Sequence, residues 1–259
     1  MPPKYREHAG DSQFATTLAR GIQVLGCFSA EEPVLGVSEL MQRSGLPKAT
    51  VSRLAYTLLR LGLLDTDESQ RKYVLGAAVL SLGYPLLASL PLRQIARPMM
   101  QQLSDYSKGS VSMGTRAGLD MVYLETSRSR SIVALQTSDI GMSNPILTTS
   151  IGRAYLAACT PRQRENVLNQ AKIKSPEQWA SCERALADNL RRFATRGFCI
   201  SREDNRQGVA AVGVPFPHPV RGQILCFNCV VHSNTIGRTE LESDLGPRLV
   251  EMVRRLSEK

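Results

Sequence analysis

Apolar residues recur with a helical rhythm at the start of the chain. In SQFATTLARGIQVLGCFSA (12–30), Leu18, Ile22, Leu25 and Phe28 are spaced four, three and three apart, which predicts a helix with that stripe inward. Pro33 ends it, because proline disfavours helix at the residue before it. Val37 to Ser44 predicts a short second helix with Leu40 and Met41 inward and Ser38 as its cap. Gly45 supplies a turn, since glycine reaches positive φ cheaply. Pro47 then suits the first turn of a third helix, whose apolar face is Val51, Leu54, Ala55, Leu58, Leu59 and Leu61, with Gly62 as the stop. In LLDTDESQRKYVLG two apolar pairs flank a polar turn, the pattern of a β-hairpin. Helix, helix, turn, helix, hairpin is the order of a winged helix-turn-helix.

Val74 to Leu92 follows without a charge, long enough to span a bilayer if it were one helix. Its Gly76, Gly83, Pro85 and Pro91 predict instead a buried connecting or dimerising helix. The rest alternates between periods. Ile95, Met99 and Leu103 predict a helix, and VSMGTRA and MVYLETSR predict strands around the turn Ala117–Gly118–Leu119–Asp120. SIVALQTS (131–138) predicts a third strand. Helix starts are written at Ser150, at Thr160–Pro161–Arg162–Gln163 and at Ser175–Pro176–Glu177–Gln178. CISRE, VAAVGVPF and QILCFNCVV predict three more strands. A closing helix carries Leu245, Leu249, Met252 and Leu256 on one stripe, with Pro247 bending or splitting it. The predicted class is α+β in two domains, the second with a mixed or antiparallel sheet flanked by helices.

Charge sharpens the reading of the third helix. The chain is 259 residues long with a net charge of +9, which suits an anionic partner but says nothing of fold. Residues 1–75 hold nine Lys or Arg against eight Asp or Glu, so the excess lies elsewhere. Locally, however, Arg43, Lys48, Arg53 and Arg60 are the charges between Leu40 and Leu64, and no acid stands among them. That is the footprint phosphate contact needs. A helix-turn-helix reads base edges with the start of its second helix. Lys48, Thr50, Ser52 and Arg53 are polar there, and Ala49 is small enough for close approach or a thymine methyl. Arg71 and Lys72 would grip the backbone from the wing.

Other chemistry is thin. The six cysteines (27, 159, 182, 199, 226 and 229) are scattered, and reduced thiols are expected. Cys226 and Cys229 form a CxxC inside a strand-like run, where residues three apart face opposite sides, so core thiols are expected and not a redox or zinc pair. Glu203 and Asp204 are adjacent on a strand and face apart, and the cluster from Arg202 to Arg206 reads as a solvated loop. No metal, cofactor, phosphate loop or nucleophile elbow is predicted. The polar N-terminus MPPKYREHAG predicts a cytoplasmic protein. An enzyme or thiol redox switch with an accessory helical domain is the competing reading.

TLARGIQVLGCFS, VSELMQRSGLPKATVSRLAYTLLRLGLL and RKYVLG together resemble the N-terminal domain of IclR-type bacterial transcriptional regulators. SIGRAYLAA, RGFCISREDNRQGVAAVGVPF and RGQILCFNCVV resemble its second part, so the likeness runs from about Ala15 to Leu256. The resemblance implies a DNA-binding domain over 12–75, a linker or dimerisation helix over 76–91 and a GAF-like effector domain over 92–257. It implies dimers or tetramers on palindromic double-stranded operators, acting on a catabolic operon in response to a small organic acid or aromatic metabolite. Ligand would bind where the SIGRA-like helix begins, at Thr149, Ser150, Ile151 and Gly152, as free helix N-terminal amides attract a carboxylate. The other pocket positions carried over are Ser201, Ala211, Cys229 and Val231. They are less polar than in members that take very small acids, which implies an apolar-walled pocket for a larger organic acid.

Overall fold

A computed structural model describes residues 11–67, 69, 71–129 and 139–259. The chain divides into two compact units, one running to Ser89 and the other from Leu90 to Lys259.

In the first unit α1 (Thr16–Leu25), α2 (Val37–Ser44) and α3 (Lys48–Arg60) precede a hairpin of β1 (Leu64–Asp67) and β2 (Lys72–Leu75). Leu35 bridges Tyr73, adding a third edge to the wing. Val24, Leu40, Val51, Leu54, Ala55, Leu58 and Leu64 form the core, each large aliphatic contributing about 1.5–3 kcal/mol by leaving water. Gly45 (φ 67°) and Gly62 (φ 69°) end α2 and α3 in the left-handed region, as expected.

The inward face of α1 differs from the expected stripe. Leu18 and Ile22 are 65% and 50% exposed, while Ala19, Gly21, Gln23 and Val24 are buried. Small residues let α1 lie close, and Gln23 Nε2 donates to Ser44 O at 2.7 Å, tying α1 to the end of α2. Leu61 is exposed because it caps the helix and no longer follows its stripe. The N-cap of α2 is Gly36, so Ser38 lies inside the helix as an exposed side chain, and Pro47 is the N-cap of α3. The uncharged run becomes α4 (Ala78–Ala88), which buries none of its residues within the chain, so of the two alternatives expected it is not a buried connecting helix. Among the described residues no helix is long and apolar enough to cross a membrane.

The second unit is built on one antiparallel sheet of order β5-β4-β3-β8-β7-β6. Its strands are β3 (Ser110–Ala117), β4 (Asp120–Arg128), β5 (Ser143–Pro145), β6 (Cys199–Arg202), β7 (Val209–Pro215) and β8 (Leu225–His232). The strand predicted over 131–138 lies outside the described residues, and β5 was not foreseen. Helices α5 (Leu92–Ser107), α6 (Ser150–Ala158), α7 (Pro161–Lys174) and α8 (Pro176–Arg196) accompany the sheet. The buried face of α5 is Ala96, Met100 and Leu103; Ile95 is turned outward. Thr160 and Gln163 close a capping box on α7. The C-terminal helix is split as Pro247 foretold: α9 (Arg238–Glu240), a π-helical turn (Leu241–Leu245) and α10 (Gly246–Ser257). Leu245, Leu249, Met252 and Leu256 are all buried, and α10 packs on β7 and β8.

Candidate nucleic-acid interface and ligand cavity

The first unit presents the start of α3 to solvent. Lys48, Ala49, Ser52 and Arg53 are exposed and Thr50 is half-buried, while Val51, Leu54 and Ala55 point into the core. Among the described residues Lys48, Arg53 and Arg60 have no carboxylate within salt-bridge distance. The remaining candidates are placed differently. Arg43 donates from Nη1 to Cys27 O at 2.8 Å and pairs with Glu32. Lys72 Nζ lies 2.7 Å from Glu39 Oε1, whose carboxyl that hydrogen bond holds below its ordinary range. Both cations are thus occupied within the unit. Arg71 is exposed at the hairpin turn with φ 51°.

In the second unit a cavity of about 110 Å³ opens where α6 begins. Thr149 caps the helix, accepting from Gly152 N at 3.2 Å, and the Ser150 amide donates to Ser201 Oγ at 3.2 Å. The helix itself has no acceptor for the Ile151 amide in its first turn. Thr149, Ser150, Ser201 and Ala211 line the cavity. The side chain of Ile151 is buried in the core, and Gly152 is pressed so close to Ile146 that a Cβ would stand 2.1 Å from its carbonyl oxygen.

Cys229 and Val231 do not line the cavity; Asn228 and Val230 do. A shift of one residue along a strand moves every side chain to the other face. Cys229 instead donates to Ser107 Oγ of α5 at 3.4 Å. The wall is correspondingly more polar than expected, with Asn144, Asn205 and Arg206 joining it. At about 110 Å³ the cavity is also compact, below the roughly 300–1,000 Å³ of drug-sized sites, so the grounds for a larger, apolar-walled acid fall away. Asn228 Nδ2 donates to Tyr123 Oη at 2.9 Å. Asn144 Nδ2, Ser150 Oγ and Asn228 Oδ1 are buried without a hydrogen-bond partner. Buried polar atoms are ordinarily satisfied, and here three that are not stand around one cavity. A lone asparagine inside LCFNCVV was the sequence signal for it.

The loop read as solvated is exposed from Glu203 to Gln207, and its side chains reach different partners. Arg206 faces the cavity, Asp204 pairs with Arg153 at 2.7 Å, and Glu203 accepts from Ser233 Oγ at 2.5 Å. Glu203 and Asp204 therefore serve different partners and form no acid–base pair. Burial pushes the Cys229 thiol up to about 12 and raises Cys226 well above its ordinary value, which disfavours the reactive thiolate.

Residues 17–68 match the family described as "IclR helix-turn-helix domain", and residues 85–258 match "Bacterial transcriptional regulator IclR C-terminal". The chain belongs to the IclR family. It is 35% identical over 238 residues to the HTH-type transcriptional regulator TsaQ1/TsaQ2 of Comamonas testosteroni, covering 92% of this chain and 85% of that one. An IclR family transcriptional regulator from Brucella abortus superposes with a TM-score of 0.85 at 40% identity, covering 99% of this chain and 97% of the other. An IclR homolog from Microbacterium hydrocarbonoxydans, crystallised with 4-hydroxybenzoate, shares the fold with a TM-score of 0.68 at 20% identity, covering 92% and 99%. This IclR-family member is a DNA-binding transcriptional regulator.

Proposed function

We propose that the chain regulates a catabolic operon by sensing a compact organic acid or aromatic metabolite in the cavity at the start of α6. The observation that carries this is the set of three unpartnered polar atoms on Asn144, Ser150 and Asn228. The α6 N-terminus and the Arg206 guanidinium favour a carboxylate at one end. Asn228, Asn144 and Tyr123 offer acceptor and donor groups elsewhere on the wall. The Microbacterium homolog's 4-hydroxybenzoate is a molecule of this description.

Residues 12–75 serve as the winged DNA-binding domain, 76–91 as linker and dimerisation helix, and 92–257 as effector domain of a cytoplasmic protein. Lys48, Ala49, Thr50, Ser52 and Arg53 read the major groove of a palindromic operator, with Ser38 and Arg71 beside them. Arg43 and Lys72 contribute once released from Glu32 and Glu39. Exposed Leu80, Leu82, Tyr84 and Leu86 on α4 and Leu18 and Ile22 on α1 are apolar surface that a second copy would cover, supporting a dimer or a tetramer. Effector binding changes the placement of the paired DNA-binding domains through α4, provided its affinity differs between DNA-bound and free protein.

Selecting duplexes from a randomised pool with the full-length chain, then titrating the winners with a panel of one-ring and short-chain organic acids, tests this reading. A two-fold symmetric sequence should be enriched, and one acid class should shift its affinity. Enrichment of no sequence over random duplex would sink the operator assignment, and equal affinity for operator with and without every acid would sink the sensing assignment.

A further inference from the structure

A second hollow of about 400 Å³ lies on the other side of α6, lined from α6, α8, β6 and the π-helical turn. It shares no lining residue with the cavity at the α6 N-terminus. The alternation of β6 keeps the two apart: Ile200 and Arg202 face this cleft, and Ser201 faces the other. The loop after β6 is split in the same way, with Asp204 in the cleft and Asn205 and Arg206 in the cavity.

Four arginines line the cleft. Arg192 is neutralised by Asp188 at 3.0 Å. Arg153 is 1% exposed, donating from Nε to Leu147 O at 3.2 Å and from Nη1 to Ile200 O at 2.6 Å and Asp204 Oδ2 at 2.7 Å. Its Nη2 is buried with no partner. A structural arginine this deep ordinarily spends all its N–H groups. Arg196 gives Nε to Phe198 O at 2.6 Å and Nη2 to Asn189 Oδ1 at 2.7 Å, and burial lowers its pKa. Arg202 gives its Nη groups to Ser233 O at 2.9 Å and Ile236 O at 3.3 Å. Among the described residues neither Arg196 nor Arg202 has a carboxylate within salt-bridge distance, although Glu242 stands in the same cleft. Hydrogen bonds to neutral oxygens orient these two guanidinium groups, and the carboxylates near them, Glu242 and Asp188 by Arg196 and Glu203 by Arg202, act on them only through space.

We propose that this cleft is a second ligand site, for the phosphate group of a small phosphate monoester. Arg153, Arg196 and Arg202 come from three different elements. A carboxylate offers two oxygens to such a set, whereas a monoester offers three terminal oxygens and two charges. The volume exceeds that of a bare anion, so the organic portion occupies the remainder. Glu242 turns away as the dianion enters. Because Arg153 also holds Asp204, occupancy here bears on the loop that carries Asn205 and Arg206.

Calorimetric titration of the full-length protein with sn-glycerol 3-phosphate, inorganic phosphate and succinate tests the assignment. Glycerol phosphate should saturate one site per chain, with affinity reduced about tenfold in Arg196→Gln and Arg202→Lys. Arg162→Gln, which removes an exposed charge on α7 outside the cleft, should bind as the parent does. Thermal melts confirm that each variant is folded, and phosphorus resonance shifts on the parent protein alone provide a readout that needs no variant. Absence of saturation by about 10 mM, or equal loss in Arg162→Gln, would overturn the site. Equal affinity for inorganic phosphate would overturn the monoester, and equal affinity for succinate would overturn the phosphate.

Discussion

Lys72 reaches back from the wing to place its Nζ 2.7 Å from Glu39 Oε1 on α2. The pair closes the hairpin against the helix that precedes the reading helix, and it holds a cation away from any phosphate. Glu39→Gln should free Lys72. Operator binding would then tighten at low salt, and the slope of log affinity against log salt should steepen by about one contact, roughly 0.9. An unchanged slope would mean that Lys72 lies beyond reach of the backbone. The same pair gives an acid signature. Hydrogen bonding to Lys72 lowers the Glu39 pKa, so the pair's stabilisation is present at neutral pH and disappears as pH falls through that lowered value. The melting temperature of the parent should drop more steeply in acid than that of Glu39→Gln.

Lys48 and Arg53 are exposed at the start of α3 without acidic partners among the described residues. Arg53→Ala should cost about 1–3 kcal/mol of operator binding and relax the preference at one base position if Arg53 reaches a base edge. Lys48→Ala should weaken all duplexes alike and lower the salt slope by about one unit if it holds a phosphate. Anisotropy titrations on operator and random DNA at several salt concentrations separate the two behaviours.

Asn228 and Cys229 are neighbours with opposite assignments, since one faces the cavity and the other faces α5. Asn228→Ala should abolish the thermal shift given by whichever organic acid stabilises the parent. Cys229→Ser should retain that shift while lowering overall stability by about 1 kcal/mol, since Ser107 Oγ offers the buried hydroxyl a partner and offsets part of its desolvation. Retention of the shift in Asn228→Ala would remove it from the recognition set.

Gly152 has no room for a side chain, because a Cβ would meet Ile146 O at 2.1 Å and that residue's backbone is fixed in the core. Gly152→Ala should therefore cost about 3 kcal/mol through forced backbone movement. Chemical denaturation would show it as a lowered midpoint at constant slope. Loss of effector response is expected with it, since the start of α6 must move.

The first unit was nearly all legible in the sequence, because Gly45, Gly62 and the polar hairpin turn specify its boundaries through backbone geometry alone. The face of α1 was not. Counting apolar side chains selected Leu18 and Ile22, whereas close packing against α3 selected Ala19 and Gly21. In the second unit the helix starts and most strands were legible for the same local reasons, although Ser175 begins α8 without the side-chain cap bond expected of it. The cavity was legible only in part: Thr149, Ser150, Ser201 and Ala211 sit at a helix start and on strands whose phase was carried over correctly. Asn228 was missed because phase on β8 depends on pairing with β3 and β7, which no local pattern fixes. Arg153 and Asp204 were invisible as a pair, since the fold joins residues 51 positions apart.

The π-helical turn from Leu241 to Leu245 keeps both Leu241 and Leu245 buried ahead of the stripe at Leu249, Met252 and Leu256. A π turn holds one residue more than an α turn, and each residue advances a helix by about 100°. Deleting one of the exposed positions Glu242 or Ser243 would restore an ordinary helical turn and leave Leu249, Met252 and Leu256 facing β7 and β8, because the wider turn had already absorbed that residue. An insertion within α10 ahead of Leu249 meets no such slack and would turn the stripe by about 100°. The length tolerance of this C-terminal helix is therefore confined to the five residues from Leu241 to Leu245.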